Sequence, residues 1–304
     1  MNGLEFILAG MLAAATPFLL AALGELVVER SGVLNLGIEG MMALAAAVAF
    51  ITTYNIGHHG LGFLFAALTG IAIALLFAVL SLSFVANQVA AGLAVGVLGL
   101  GLSSLFGNSY ESLAVTGLPK LGLPLLSGLP VIGSTLLTQD IVVWLTLLGA
   151  LGMWVVLNHT KLGLVIRAIG ENPHAARAIG YPVLKIRYAA IAFGGAMAGI
   201  AGAYASTVYT PLWADGMIAG RGWIALALVV FGTWQTGRVV FGACLFGALS
   251  LGELTAQAIG VNLPSQLLAS IPYAVTILML AVISSNRRRM RLNAIASLGQ
   301  PFEK

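Results

Sequence analysis

The chain has 304 residues, of which 60% are hydrophobic and only 8% charged, with a net charge of +4 and a mean hydropathy of +1.02. An average soluble domain carries roughly 25% charged residues, so this composition excludes an ordinary soluble domain and defines a polytopic membrane protein. The single cysteine, Cys244, falls within an apolar run and excludes an intrachain disulfide framework.

Apolar runs of about 17 to 22 residues predict nine membrane helices, at 6–24, 40–56, 61–82, 87–107, 140–157, 189–208, 216–236, 239–258 and 266–285. A tenth, discontinuous span would move the N-terminus to the other side. The first run lacks a basic flank and a small-residue cleavage site, so it is expected to be a retained span rather than a signal peptide. The whole chain, 1–304, is expected to form one all-α transmembrane domain of nine to ten helices.

Gly24 to Met42 is the first polar feature, with Glu25, Glu29, Arg30 and Glu39 packed ahead of a stretch, Gly40 to Tyr110, that has no charged residue. Glu25 and Glu29 are one helical turn apart and Arg30 can pair with either. Gly32, Gly37 and Gly40 interrupt helical regularity, so Asn35 to Gly40 reads as a broken helix beside a polar path. A cytosolic loop leading into a span is the plainer alternative. An acid at the edge of an apolar span is costly unless it meets water or a partner, which favours the broken helix.

Asn87 and Gln88 open a later span, and Glu253 and Gln257 lie one turn apart in another; interhelical hydrogen bonding is the simplest role for each. Residues 107–139 hold Pro119, Pro124 and Pro130 with few charges, and form an extracytoplasmic loop that is either a lid or a docking surface. Gly194 to Gly202 presents a small-residue face for close helix packing. Arg221, between Gly220 and Gly222, is expected at the outer interface, pairing with Asp215 or snorkelling.

The second polar feature, Lys161 to Gly180, lies inside the loop 158–188 and carries Lys161, Arg167, Glu171, His174 and Arg177. Asn172 is a good N-cap, Pro173 suits the first helical position, and Gly180 suits a C-terminal cap. A short capped helix in such a loop is shaped to dock a soluble partner. Placing this loop and the basic tail 286–304 in the cytosol puts twelve of the 14 Lys and Arg residues inside, with only Lys120 and Arg221 outside.

Absent motifs narrow the chemistry. No Gly-Lys pair occurs, so the chain has no P-loop, and neither a zinc-protease nor a serine-hydrolase motif is present. The four histidines lack carboxylates at metal-ligand spacing, so no metal site is expected.

Two segments carry a resemblance. Glu29-Arg-Ser-Gly-Val-Leu-Asn-Leu-Gly-Ile-Glu-Gly-Met-Met42 and Arg167-Ala-Ile-Gly-Glu-Asn-Pro-His-Ala-Ala-Arg-Ala-Ile-Gly180 closely resemble ABC-importer permeases of the branched-chain amino acid, ribose and nucleoside superfamily. Phe84 to Gly92 and Gly220 to Ala227 resemble its nucleoside and simple-sugar branch.

The resemblance implies a type II-like importer domain that binds no cofactor itself, with ATP and Mg in a separate ATPase. It also implies a second, different permease subunit and an extracytoplasmic substrate-binding protein as partners, in the bilayer of a bacterial inner membrane, and no nucleic acid. It places Arg167, Gly170, Glu171, Asn172, Pro173, His174 and Arg177 in the ATPase-coupling segment. Asn35 and Glu39 match a branch motif and, with Asn87 and Gln88, are expected along the substrate pathway. An ion-coupled secondary transporter using Glu39 or Glu253, or an importer of a simple sugar or branched-chain amino acid, is the alternative.

Overall fold

The computed structural model describes residues 3–121, 139–258, 264, 267, 270–271, 274–275, 277–278 and 294–302. The first half comprises α1 (Gly3–Arg30), α2 (Ile38–Ile56), α3 (His59–Ala78, extended by a π-helical turn over Val79–Ser83) and α4 (Gln88–Gly107). Then follow α5 (Ile141–His159), α6 (Lys161–Glu171) and α7 (Pro173–Ala178). α8 (Val183–Tyr204, continued by a π turn to Tyr209), α9 (Arg221–Phe231) and α10 (Thr236–Ala258) complete it. Among the described residues the only strand-like pairing is one antiparallel bridge, Ala114 to Leu212.

α1 and α2 are mostly apolar and mostly buried, as befits helices in the middle of a bundle. α1 packs against α8, α9 and α10, and α2 against α3, α4 and α8. Small residues allow these helices to touch. A Cβ on Gly40 of α2 would collide with the Gly96 carbonyl of α4, and one on Gly195 of α8 would strike Ala74 and the Gly70 carbonyl of α3. The small-residue face of Gly194 to Gly202 therefore packs helix on helix, against α1, α2 and α3.

Six helices among the described residues are long and apolar enough to cross a bilayer: Gly10–Arg30, Ile38–Ile56, His59–Ser83, Gln88–Tyr110, Ile141–His159 and Val183–Tyr209. The expected span at 216–236 is instead the 11-residue α9. At 1.5 Å per residue it covers about 16 Å, half of a hydrocarbon core of about 30 Å. Its start is set by Gly216 and Gly220, both at positive φ, and its end by Thr233 and Trp234, also at positive φ. The run 239–258 forms α10 along α1, and most of 266–285 falls outside the described residues.

Candidate translocation site and coupling surface

The non-helical link from Ser31 to Gly37 is mostly buried, and several of its backbone polar groups find partners inside the protein. Gly32, at φ 87°, turns the chain and donates its amide to Glu29 O, while Asn35 Oδ1 accepts the Gly37 amide at 3.0 Å. The Leu34 amide donates to Gln88 Oε1 at 2.8 Å. Buried irregular backbone is tolerable at depth only when satisfied in this way.

Beyond the break, Glu39 is 3% exposed and meets the start of α9. Its Oε1 accepts the Gly220 amide at 2.6 Å, and its Oε2 accepts the amides of Gly222 at 2.7 Å and Trp223 at 3.3 Å. These are three of the four N–H groups that a helix start leaves without an intrahelical partner. A carboxylate there also opposes the positive end of the helix dipole. The glycines are required. Gly220 sits at φ 80°, and a Cβ on Gly222 would come within 2.6 Å of Glu39 Cα.

This contact closes one side of a cavity of about 230 Å³ between α2, α4 and the 213–223 segment. Its polar lining is Glu39, Ser103, Ser104 and Asp215, with the indoles of Trp213 and Trp223. Ser104 donates to Asp215 Oδ1 at 2.7 Å and Ser103 to Ala43 O at 2.9 Å. Trp213 stacks obliquely on Phe50, and its buried Nε1 has no hydrogen-bond partner among the described residues. Among the described residues no basic side chain lines the cavity.

Of the four residues expected along the pathway, Glu39 alone lines this cavity. Asn35 holds the α1–α2 link, Asn87 caps α4 through the Ala90 amide, and Gln88 bridges Leu34 to the Gln300 carbonyl. Among the described residues neither the Arg30–Glu29 nor the Arg221–Asp215 ion pair forms, for a physical reason. Arg30 donates to Trp234 O at 2.7 Å while Glu29 accepts Trp234 Nε1–H, so both are held by one residue rather than by each other. Arg221 lies over the Tyr209 ring, 5.6 Å from its centroid, and Asp215 takes Ser104 instead.

At the Arg30 end of the bundle, the Lys161–Gly180 segment forms two helices rather than one. Thr160 caps α6 through the Gly163 amide, and Asn172 caps α7 through the Ala175 amide at 2.9 Å, with Pro173 in its first turn. Glu171, His174 and Arg177 are exposed, while Gly170 is buried. The Gly170 carbonyl accepts both the backbone amide and the hydroxyl of Ser297, at 3.0 and 2.6 Å.

Composition gave no warning of this strap. Residues 294–302 fold back under α6–α8, placing Phe302 among Ile169, Ala176 and Val183 and 5.1 Å from the His174 ring. Arg187, fully buried, donates to Ser31 O at 3.0 Å and to Ser297 Oγ at 3.2 Å, and lies over Phe302. Contacts thus run from α7 through Phe302, Arg187 and Ser31 to the link before Glu39.

A membrane bundle with an interrupted helix, a half-helix held by a buried acid, and a pair of capped helices at one end is an architecture suited to a transporter subunit. Residues 7–283 match the family described as the branched-chain amino acid transport system permease component, and the chain belongs to that family. It is 38% identical to the putative glucose ABC transporter permease protein TsgC13 of Haloferax volcanii, over 96% of this chain and 95% of the relative. It is 33% identical to the nucleoside ABC transporter permease protein NupC of Lactococcus lactis, over 92% and 93% of the two chains. With the guanosine ABC transporter permease protein NupQ of Bacillus subtilis it shares 31% identity, over 91% of each. No solved structure matches the chain. It is an ABC transporter permease of the simple-sugar and nucleoside kind, a transport component and not an enzyme.

Proposed function

We propose that the chain is one half of a heterodimeric import pore for nucleosides, sited in the inner membrane with its Arg30 end in the cytosol. The observation carrying this reading is the small cavity beside Glu39. Its carboxylates and serine hydroxyls suit the hydroxyls of a sugar, and its two indole faces suit a sugar ring or a nucleobase. A branched-chain amino acid fits poorly, because nothing basic in the cavity would meet its carboxylate. The identity to a putative glucose permease supports a second reading, import of a simple sugar at the same site.

Substrate arrives from an extracytoplasmic binding protein, and ATP bound with Mg by a separate ATPase supplies the drive. The ATPase engages α6–α7 through the exposed Glu171, Asn172, His174 and Arg177 and the half-buried Arg167, while the buried Gly170 and Pro173 shape the segment from behind. Movement there is relayed through Phe302, Arg187 and the Ser31–Gly37 link to Glu39 and α9, alternating access to the cavity. The test is uptake of radiolabelled guanosine, cytidine and glucose by proteoliposomes containing this chain, its partner permease and the ATPase. Nucleoside uptake that requires ATP is expected. ATP-dependent uptake of glucose alone selects the second reading, and uptake driven by an ion gradient without the ATPase overturns both.

A further inference from the structure

A second cavity, about 710 Å³, opens at the Arg30 end between α1, α5, α6 and the α9–α10 junction, well away from Glu39. Arg30, Arg167 and Arg238 line it together with Trp154 and Trp234, against one carboxylate, Glu171. Among the described residues none of the three guanidinium groups makes an ion pair.

Each guanidinium is fixed by one edge. Arg30 donates Nε and Nη2 to Trp234 O, Arg238 donates Nη1 to Thr233 Oγ1, and Arg167 donates Nε to Gly163 O. Their remaining N–H groups stay available. The anchoring turn is itself unusual, since Thr233 and Trp234 are consecutive non-glycine residues at φ 48° and 55°. Such backbone persists only where the surroundings enforce it, and here it aims a carbonyl and a hydroxyl at two arginines.

The cavity continues into an apolar face. Trp154 is exposed, and Leu151, Leu148 and Leu145 extend the exposed stripe along α5, away from the arginines. Leu164 of the amphipathic α6, which lines the cavity, is exposed as well. Positive groups at one end of a span, tryptophans at the rim and a bare apolar stripe beyond match a phospholipid that enters headgroup first.

We infer that this cavity binds the phosphate headgroup of one anionic phospholipid from the cytosolic leaflet, with its acyl chains along α5. The choice of leaflet rests on the orientation proposed above; the binding does not. Arginine is suited to this task because its planar fork offers paired donors to phosphate oxygens. The site would tie the lipid environment to α6, whose Arg167 lies in the coupling segment.

The test is native mass spectrometry of the purified complex from mixed phosphatidylglycerol and phosphatidylcholine nanodiscs. Selective retention of one phosphatidylglycerol per chain is expected. Arg30→Gln with Arg238→Gln should weaken it about 25-fold, at roughly fivefold per basic residue near a membrane surface. Arg30→Lys with Arg238→Lys, which keeps the charge, should retain most of the binding and guards against misfolding. Equal retention by the Gln pair, or no selectivity in the wild type, overturns the inference. So does release of the lipid by inorganic phosphate, which would assign the site to a soluble anion. A photo-crosslinker at position 158, inside the cavity, should capture lipid; capture of the ATPase instead would assign the cavity to an acidic segment of that subunit.

Discussion

Replacing Glu39 tests the link between the buried acid and the half-helix. In Glu39→Leu the amides of Gly220, Gly222 and Trp223 lose their acceptor inside a buried contact. Each unsatisfied buried N–H costs about 1–3 kcal/mol, so the three together should cost roughly 3–6 kcal/mol after local relaxation. Glu39→Gln keeps one carbonyl acceptor but turns an NH₂ group toward a helix start and loses the charge–dipole term, for about 2 kcal/mol. Unfolding midpoints of the two variants in detergent should therefore fall in the order wild type, Gln, Leu, with the Leu variant down by about 5–9 °C. Uptake at matched membrane levels should fall in the same order. A Leu variant that melts with the wild type would refute the reasoning, because it would show that α9 keeps its start without the carboxylate.

Pro173→Gly combined with Arg177→Glu should insert normally yet lose most ATP-dependent uptake, checked by comparing ATP hydrolysis and transport in one preparation. Single cysteines at Lys120 and Lys185 in a Cys244→Ala background should divide in intact cells, position 120 reacting with an impermeant thiol reagent and position 185 staying protected. Phe302→Ala removes a buried ring from the Ile169, Ala176 and Val183 cluster and should cost about 3 kcal/mol locally. Limited proteolysis should then cut near residues 294–302 faster than in the wild type; unchanged cutting would mean that the strap is held by its hydrogen bonds alone.

Much of the Lys161–Gly180 segment was legible in the sequence because capping is local. Asn172, Pro173 and Gly180 mark a helix within nine positions, and the structure places each where its chemistry predicts. Glu39 was half legible: an acid at the edge of an apolar span needs a partner, but that partner lies 181 residues away and is backbone, which no residue-type pattern announces. The half-helix was misread as a span because α9 and its flanks share the composition of a crossing helix. Only the positive-φ residues that bound it tell them apart, and Thr233 and Trp234 are types that give no hint of that conformation. The strap was hidden for the opposite reason. Ala294 to Phe302 is short and weakly apolar, and its grip comes from one ring and one serine rather than from a periodic face.

The strap also orders events in time. Ser297 meets Gly170 across 127 residues and Gln300 meets Gln88 across 212, so the surface beneath α6–α8 is closed by chain made long after those helices. A chain lacking residues 294–302 would carry α6 and α7 with the Gly170 carbonyl deprived of its Ser297 partner. The strap can therefore close this end of the bundle only after residues 294–302 are made, and a product truncated before residue 294 would lack both the Ser297 and the Phe302 contacts.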